Sequence, residues 1–162
     1  VSGDALLVLL NEYGVNRLDP ATGDPLWESP VRLSSRRSPG LLDRLTGDAT
    51  TLYAVADGEL QAIQLADGRP KFDRPASVGR PEASFVARLL PGAVAVFPSD
   101  PFASRPEFSL LSAKDGRLVQ RLPLGFGDAA PVFSWRRPAS LHLLGRSAIV
   151  STHGAFWTLQ PR

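Results

Sequence analysis

Apolar residues in this chain come in runs of about five, bounded on both sides by Gly, Pro, Asn or Asp. Ala5–Leu10 is one continuous run, short enough for a strand buried on both faces. Thr51–Ala56 alternates like a strand with one face inward. The same reasoning predicts strands at Val15–Asp19, Leu26–Glu28, Leu41–Leu45, Glu59–Gln64, Arg69–Phe72, Phe85–Leu90 and Ala93–Phe97. Further strands are predicted at Phe108–Ser112, Leu118–Leu122, Leu141–Leu144, Ala148–Thr152 and Phe156–Leu159. Tight turns fall at Thr22-Gly23, Thr46-Gly47-Asp48, Asp57-Gly58, Asp67-Gly68, Pro91-Gly92, Asp115-Gly116, Gly145-Arg146 and His153-Gly154. Gly14 is expected at a turn equivalent to those of Gly58 and Gly154. No stretch has the periodicity of an amphipathic helix of useful length.

The strands recur in register. Leu18, Ile63, Leu111 and Leu159 occupy equivalent places, separated by 45, 48 and 48 residues. Units of four short antiparallel strands repeating at this interval are the signature of β-propeller blades. A β-sandwich would also contain many short strands, without the shared register. The expected fold is therefore all-β, a propeller segment of about four blades, each a four-stranded meander, at roughly residues 1–30, 40–74, 83–123 and 130–162.

Leu18-Asp19-Pro20-Ala21-Thr22-Gly23, with Trp27 four positions on, resembles the repeat of PQQ-like (quinoprotein-type) β-propellers. The second copy reads Ile63-Gln64-Leu65-Ala66-Asp67-Gly68 with Phe72 in the Trp place. The third reads Leu111-Ser112-Ala113-Lys114-Asp115-Gly116 with Gln120 there, and the fourth Leu159-Gln160-Pro161. The resemblance implies that the Trp packs between neighbouring blades. Its decay to Phe and then Gln points toward the looser, non-catalytic members, such as the outer-membrane assembly lipoprotein, and away from a strict quinoprotein dehydrogenase. It also implies an extracytoplasmic (periplasmic or cell-envelope) protein of bacterial type.

Rings of this family generally have about seven or eight blades. The first copy lacks an innermost strand and the fourth an outermost one. Residues 1–162 are accordingly expected to be the C-terminal half of a larger ring. The remainder, or another chain, would supply the absent strands and cover the open blade faces.

Composition narrows the chemistry. The 162 residues are 43% hydrophobic and 21% charged, as in a folded protein, and no apolar run is long enough for a transmembrane helix. There is no cysteine, hence no disulfide framework and no thiolate metal site. A net charge of +2, carried almost wholly by arginine with lysine only at Lys71 and Lys114, provides no concentrated basic face, so no nucleic-acid partner is expected.

Candidate catalytic groups are few. His142 and His153 are the only histidines and have no carboxylate beside them in the sequence. Asp19, Asp57, Asp67, Asp115 and Asp128 adjoin Gly or Pro and read as turn formers. No calcium-loop spacing, phosphate-binding loop or nucleophile elbow occurs. Quinone binding in the enzymes of the family calls for calcium ligands, stacking aromatics and often a vicinal cysteine pair, so no cofactor or metal is expected here.

Candidate partner-binding residues lie in loops. Trp135, Arg136 and Arg137 combine the residue types that dominate protein–protein hot spots. The reading favoured over partner binding is an interblade Trp with solvated arginines, and Arg36-Arg37 form a second such pair in a loop. Ser99–Pro106, with Asp100 and Arg105, is a longer connection than its counterpart Asp57-Gly58, and insertions in repeats often mark the binding face. The functional expectation is a non-catalytic scaffold or binding module for a protein partner. The alternatives are part of a PQQ-dependent dehydrogenase whose ligands lie elsewhere, or a carbohydrate- or ligand-binding propeller.

Overall fold

The computed structural model describes residues 6–10, 14–33, 45–80, 85–98, 107–123, 140–144, 147–152 and 155–159. Of Pro98, Leu122, Pro123 and the last three segments it describes the backbone alone. Among the described residues, fourteen strands form four antiparallel sheets, each with its strands in chain order. Blade 1 is β1 (Leu6–Leu10), β2 (Gly14–Leu18) and β3 (Val31–Arg32). Blade 2 is β4 (Leu45–Gly47), β5 (Thr51–Ala56), β6 (Glu59–Gln64) and β7 (Ala76–Ser77). Blade 3 is β8 (Phe85–Leu90), β9 (Ala93–Pro98), β10 (Glu107–Ser112) and β11 (Leu118–Pro123). Blade 4 is β12 (Ser140–Leu144), β13 (Ser147–Thr152) and β14 (Ala155–Leu159). The all-β meander architecture expected from the sequence is the architecture observed.

Register confirms the repeat. Leu18 pairs with Leu6, Ile63 with Leu52 and Leu111 with Val94, the same rung in three sheets. The turns that follow are closed by the same pair of backbone bonds. Gly23, Gly68 and Gly116 donate to Asp19, Gln64 and Ser112 at 2.8, 2.9 and 2.9 Å, while those three residues accept at their own ends of the loop and donate to Asp24, Arg69 and Arg117. The glycines have φ of 78°, 76° and 74°, left-handed backbone that a residue with a Cβ adopts only at a cost.

The outer strands differ from expectation in blades 1 and 2. Leu26–Glu28 and Arg69–Phe72 are not strands. Leu18 and Ile63 form single bridges to Pro25 and Pro70, and Leu26 and Lys71 each donate one more backbone bond, to Arg17 and Ala62. The chain then bends away for four residues and rejoins its sheet only at β3 and β7. Proline fixes φ at this point, and the detour carries Trp27 or Phe72 onto the next blade. In blade 3 the equivalent residues are Leu118 and Gln120, and β11 runs on unbroken after a register shift opposite Leu110/Leu111.

Two smaller corrections concern glycines. Gly14 lies within β2, paired with Leu10 and Arg32, and not at a turn; glycine is needed there since a Cβ would stand 2.7 Å from the Val31 carbonyl oxygen. Thr46-Gly47 likewise belongs to β4, and the turn follows at Asp48–Thr50, closed by Asp48 N–H to the Thr51 carbonyl at 3.0 Å.

The core consists of the spaces between blades. Successive side chains of β5 point to opposite faces, so Leu52, Ala54 and Ala56 pack with Val15, Trp27 and Leu33 of blade 1. Tyr53 and Val55 pack with Phe85, Val94 and Leu111 of blade 3. All six β5 residues are buried, so both faces of this strand are covered, and its polar side-chain atoms, Thr51 Oγ1 and the Tyr53 hydroxyl, are hydrogen-bonded.

Candidate functional site: the seams between blades

At the first seam the Trp27 indole lies flat on the second turn. An added Cβ on Gly68 would be 3.0 Å from Trp27 Cδ2, so a larger residue would crowd the ring as well as strain the left-handed backbone. The indole Nε1–H donates to the Leu65 carbonyl at 3.0 Å in a buried setting, and Arg17 Nη1 donates to the same oxygen at 2.8 Å. Two donors thus hold one carbonyl of the neighbouring blade. Gln61 returns the connection, its Nε2 donating to the Leu33 carbonyl at 2.8 Å.

The second seam solves the same problem with different residues. Phe72 covers Gly116, where a Cβ would be 2.9 Å from the ring. Phenylalanine has no donor. The missing hydrogen bond comes from Tyr53, whose hydroxyl donates to the Ala113 carbonyl at 2.8 Å. Ala113 is the counterpart of Leu65. Tyr53 pairs across the sheet with Ala62, and the same rung in blade 1 holds Leu7 and Arg17. The long donor has changed strands while its target has stayed in place.

Around Tyr53 lies a polar group open to solvent. Lys71 Nζ donates to the Tyr53 hydroxyl oxygen at 3.1 Å and to Thr51 Oγ1 at 3.2 Å. The Tyr53 proton is committed to Ala113 and a lone pair of its oxygen to Lys71, so this hydroxyl is a structural hydrogen-bond relay and has no free proton for acid–base work. Asp48 receives Thr50 N–H, Thr50 Oγ1–H and Thr51 N–H, each at 2.8 Å. The Thr50 backbone bond leads, with the other bonds and the Lys71 charge, in holding the Asp48 carboxyl below its ordinary value of 3.8, against a smaller opposing effect of burial. Asp115 is also held low, first by its bond with Ser112 and then by Arg117 N–H. These carboxylates, with Asp19 and Asp67, cap their own turns, as the sequence suggested for Asp19, Asp67 and Asp115.

Open clefts follow the seams. One of about 510 Å³ lies between Leu7 and Arg17 of blade 1 and Leu45, Thr46 and Leu52 of blade 2. Another of about 580 Å³ brings Tyr53, Lys71 and Asp48 together with Leu89, Ala113 and Lys114. The two lysines of the chain face this second cleft.

Asp100, Arg105, Trp135, Arg136 and Arg137, the residues singled out for partner binding, lie outside the described residues, as do His153 and Asp128. The connections holding the first five, 99–106 and 124–139, follow Pro98 and Pro123, and in register Pro98 pairs with Phe85 and Pro123 with Glu107, which places all four at one end of the blade 3 sheet. His142 pairs with Ile149 in blade 4. The sequence reading missed Tyr53, Arg17 and Gln61. The available signal was the exchange of a donor for an aliphatic residue within one cross-strand pair.

No protein-family model and no curated protein matches the sequence. Solved structures do match the fold. BamB from Moraxella catarrhalis aligns over 98% of this chain with a TM-score of 0.62 at 14% identity. The chain has the fold of a PQQ-like β-propeller segment. The quinohemoprotein alcohol dehydrogenase of Comamonas testosteroni matches this propeller segment over 74% of its length, with a TM-score of 0.56 and 17% identity. The quinohemoprotein alcohol dehydrogenase ADHIIG of Pseudomonas putida HK5 matches over 76%, again at 0.56 and 17%. The segment spans 40% of the BamB chain and 19% of either dehydrogenase. Among the described residues of the propeller segment, no group of three or more His, Cys, Asp or Glu gathers to hold a metal ion. No helix among the described residues is long and apolar enough to cross a membrane.

Proposed function

We propose that this propeller segment is a protein-binding scaffold module, working outside the cytoplasm, with its partner held by loops and by apolar sheet surface. The observation that carries this reading is where large apolar side chains remain exposed. Among the described residues these are Leu6, Leu7 and Leu10 on β1, Leu26 beside the Trp27 detour, and Leu118 and Val119 on β11. β11 is a six-residue outer edge, whereas β3 and β7 are two residues long. Long edges with exposed apolar residues invite pairing with another chain. The polar groups of the described seams, by contrast, are spent on holding blades together. Trp135, Arg136 and Arg137, with Asp100 and Arg105, are the loop residues proposed to join this surface. The extracytoplasmic setting follows from the family resemblance.

The test is retention of partner proteins from an envelope extract by the full chain and by the triple variant Trp135→Ala, Arg136→Ala, Arg137→Ala. A defined polypeptide held by the wild type and lost by the variant supports the reading. A visible absorbance band and a rise in Tm on adding pyrroloquinoline quinone with calcium would overturn it in favour of a dehydrogenase segment.

A further inference from the structure

We infer that the cleft between blades 2 and 3 binds an acidic side chain of a polypeptide partner, with Lys71 and Lys114 as its cations and Leu89, Leu90 and Pro91 as its apolar wall. The inference rests on the protein-binding reading and names the chemistry of one contact. Both blades that wall the cleft have all four strands, and its volume of about 580 Å³ suits a short stretch of peptide. Two charges at this seam are only partly spent on holding blades together. Lys71 Nζ donates to the Tyr53 hydroxyl and to Thr51 Oγ1 at 3.1 and 3.2 Å, which leaves the third N–H of the ammonium for a further acceptor. Tyr53 and Thr51 are 1% and 2% exposed, so they fix the lysine head where it stands. Lys114 donates only from its backbone, to Ser112 Oγ at 3.2 Å, and its side chain is exposed. Among the described residues neither ammonium is ion-paired. Asp48 and Asp115 feel these charges through space, but each carboxylate is taken up by its own turn. The cleft thus carries two positive charges against the one negative charge of Asp48.

The first seam shows that the packing of blades does not call for these lysines. Leu26 stands there in the place of Lys71, and Ala66 in the place of Lys114. Leu26 and Lys71 donate equivalent backbone bonds, to Arg17 and Ala62 at 2.8 Å each. The first seam nevertheless buries Trp27 to 2% exposure with no ammonium at either place. The chain has 18 basic residues, and the only two lysines among them meet at this one cleft. Lysine is a compact point charge on a flexible stem, suited to following a carboxylate that arrives on another chain. The wall beside the two ammonium groups is apolar, so the ligand that fits combines a carboxylate with an aliphatic neighbour. Glutamate or aspartate next to leucine, in an exposed stretch of peptide, has that combination. A free inorganic anion would leave the wall uncovered.

The probe is the peptide acetyl-Leu-Glu-Leu-Glu-Leu-amide, titrated into the full chain and followed by amide chemical shifts. Its counterpart with glutamine for glutamate, and inorganic phosphate, are the controls. Saturable shifts at Gly92, Ala113 and Lys114 are expected, with an affinity about tenfold higher for the glutamate peptide than for the glutamine peptide. Lys114→Gln, at an exposed position that leaves the seam intact, should weaken the glutamate peptide by a similar factor, as should Lys71→Met. Equal binding of the two peptides, or a glutamate response indifferent to Lys114→Gln, would overturn the inference. Phosphate that shifts the same amides and binds as tightly as the glutamate peptide would overturn it in favour of a site for small anions. Specific binding of the glutamate peptide by a chain that retains no protein partner would leave the inference standing and sink the scaffold reading. Partner retention lost in the loop variant, with no peptide response at Lys114, would do the reverse.

Discussion

The Tyr53 hydroxyl donates to the Ala113 carbonyl at 2.8 Å, in the place where the preceding seam uses the Trp27 indole and Arg17 on Leu65. The loss of tryptophan from the second repeat is thus not a loss of the interblade hydrogen bond. A buried carbonyl deprived of its partner costs about 1–3 kcal/mol, enough to keep some donor at this place whichever strand supplies it.

Tyr53→Phe removes that donor and an acceptor of Lys71. A loss of about 1–2 kcal/mol is expected in urea unfolding. Adding Phe72→Trp should recover part of it, by returning an indole N–H to within reach of Ala113. A double variant that merely sums the two single effects would show that the indole does not substitute for the hydroxyl.

At the first seam the Leu65 carbonyl has two donors, so the loss of one is cushioned. Trp27→Phe should cost about 1 kcal/mol and Trp27→Ala about 3–5 kcal/mol, the latter because a buried ring leaves a cavity. Arg17→Ala combined with Trp27→Phe should cost more than the sum, since only the pair orphans the carbonyl. Unfolding midpoints of the four proteins give the coupling directly.

The glycines of the turns separate backbone strain from crowding. Gly23→Ala meets only the left-handed backbone penalty, about 1–2 kcal/mol, because the space over Gly23 is open. Gly116→Ala meets that penalty and a Phe72 ring at 2.9 Å. The second variant should therefore be the less stable, and replacing Phe72 by Leu in it should narrow the gap.

How much of this was legible in the sequence follows from which interactions repeat. The strands were legible because Leu18, Ile63 and Leu111 recur at fixed rungs, and the turns because their glycines need left-handed φ. The detours at Leu26–Glu28 and Arg69–Phe72 were not, since short apolar segments after a turn read as strands, and only Pro25 and Pro70 hint otherwise. The donors were hidden for a deeper reason. The conserved feature between the seams is an acceptor carbonyl, which every residue possesses, while its donor moves from Arg17 and Trp27 to Tyr53.

Acid should loosen the Asp48 turn before it affects the apolar seams. The folded Asp48 carboxyl is held below its ordinary value, so its contribution is complete above the ordinary carboxylate range and is lost as pH falls through the lower folded value. The difference in Tm between wild type and Asp48→Asn should shrink as pH is lowered from about 6 to about 3. A difference that stays constant would show that the Asp48 charge contributes nothing beyond an acceptor, which asparagine retains.

A long outer strand and an interblade plug are alternative fates for the same residues of a blade. Blades 1 and 2 have Pro followed by an aromatic residue and leave the sheet, whereas blade 3 has Leu118 and Gln120 and stays in it. The proline nitrogen is not the obstacle, since at these bridges the flanking residues carry the bonds, Gln64 to Arg69 and Lys71 to Ala62. What draws the chain away is burial of the ring, Phe72 being 6% exposed over Gly116. Replacing Phe72 by Gln removes that pull, and replacing Pro70 by Leu frees φ. The double variant should extend β7 back toward Lys71, visible as slowed amide exchange at residues 72–75, while losing about 3–5 kcal/mol of stability with the buried ring. Slowed exchange in the Pro70→Leu single variant would assign the detour to proline, and no slowing in the double variant would mean that the plug is a passenger on a path set elsewhere.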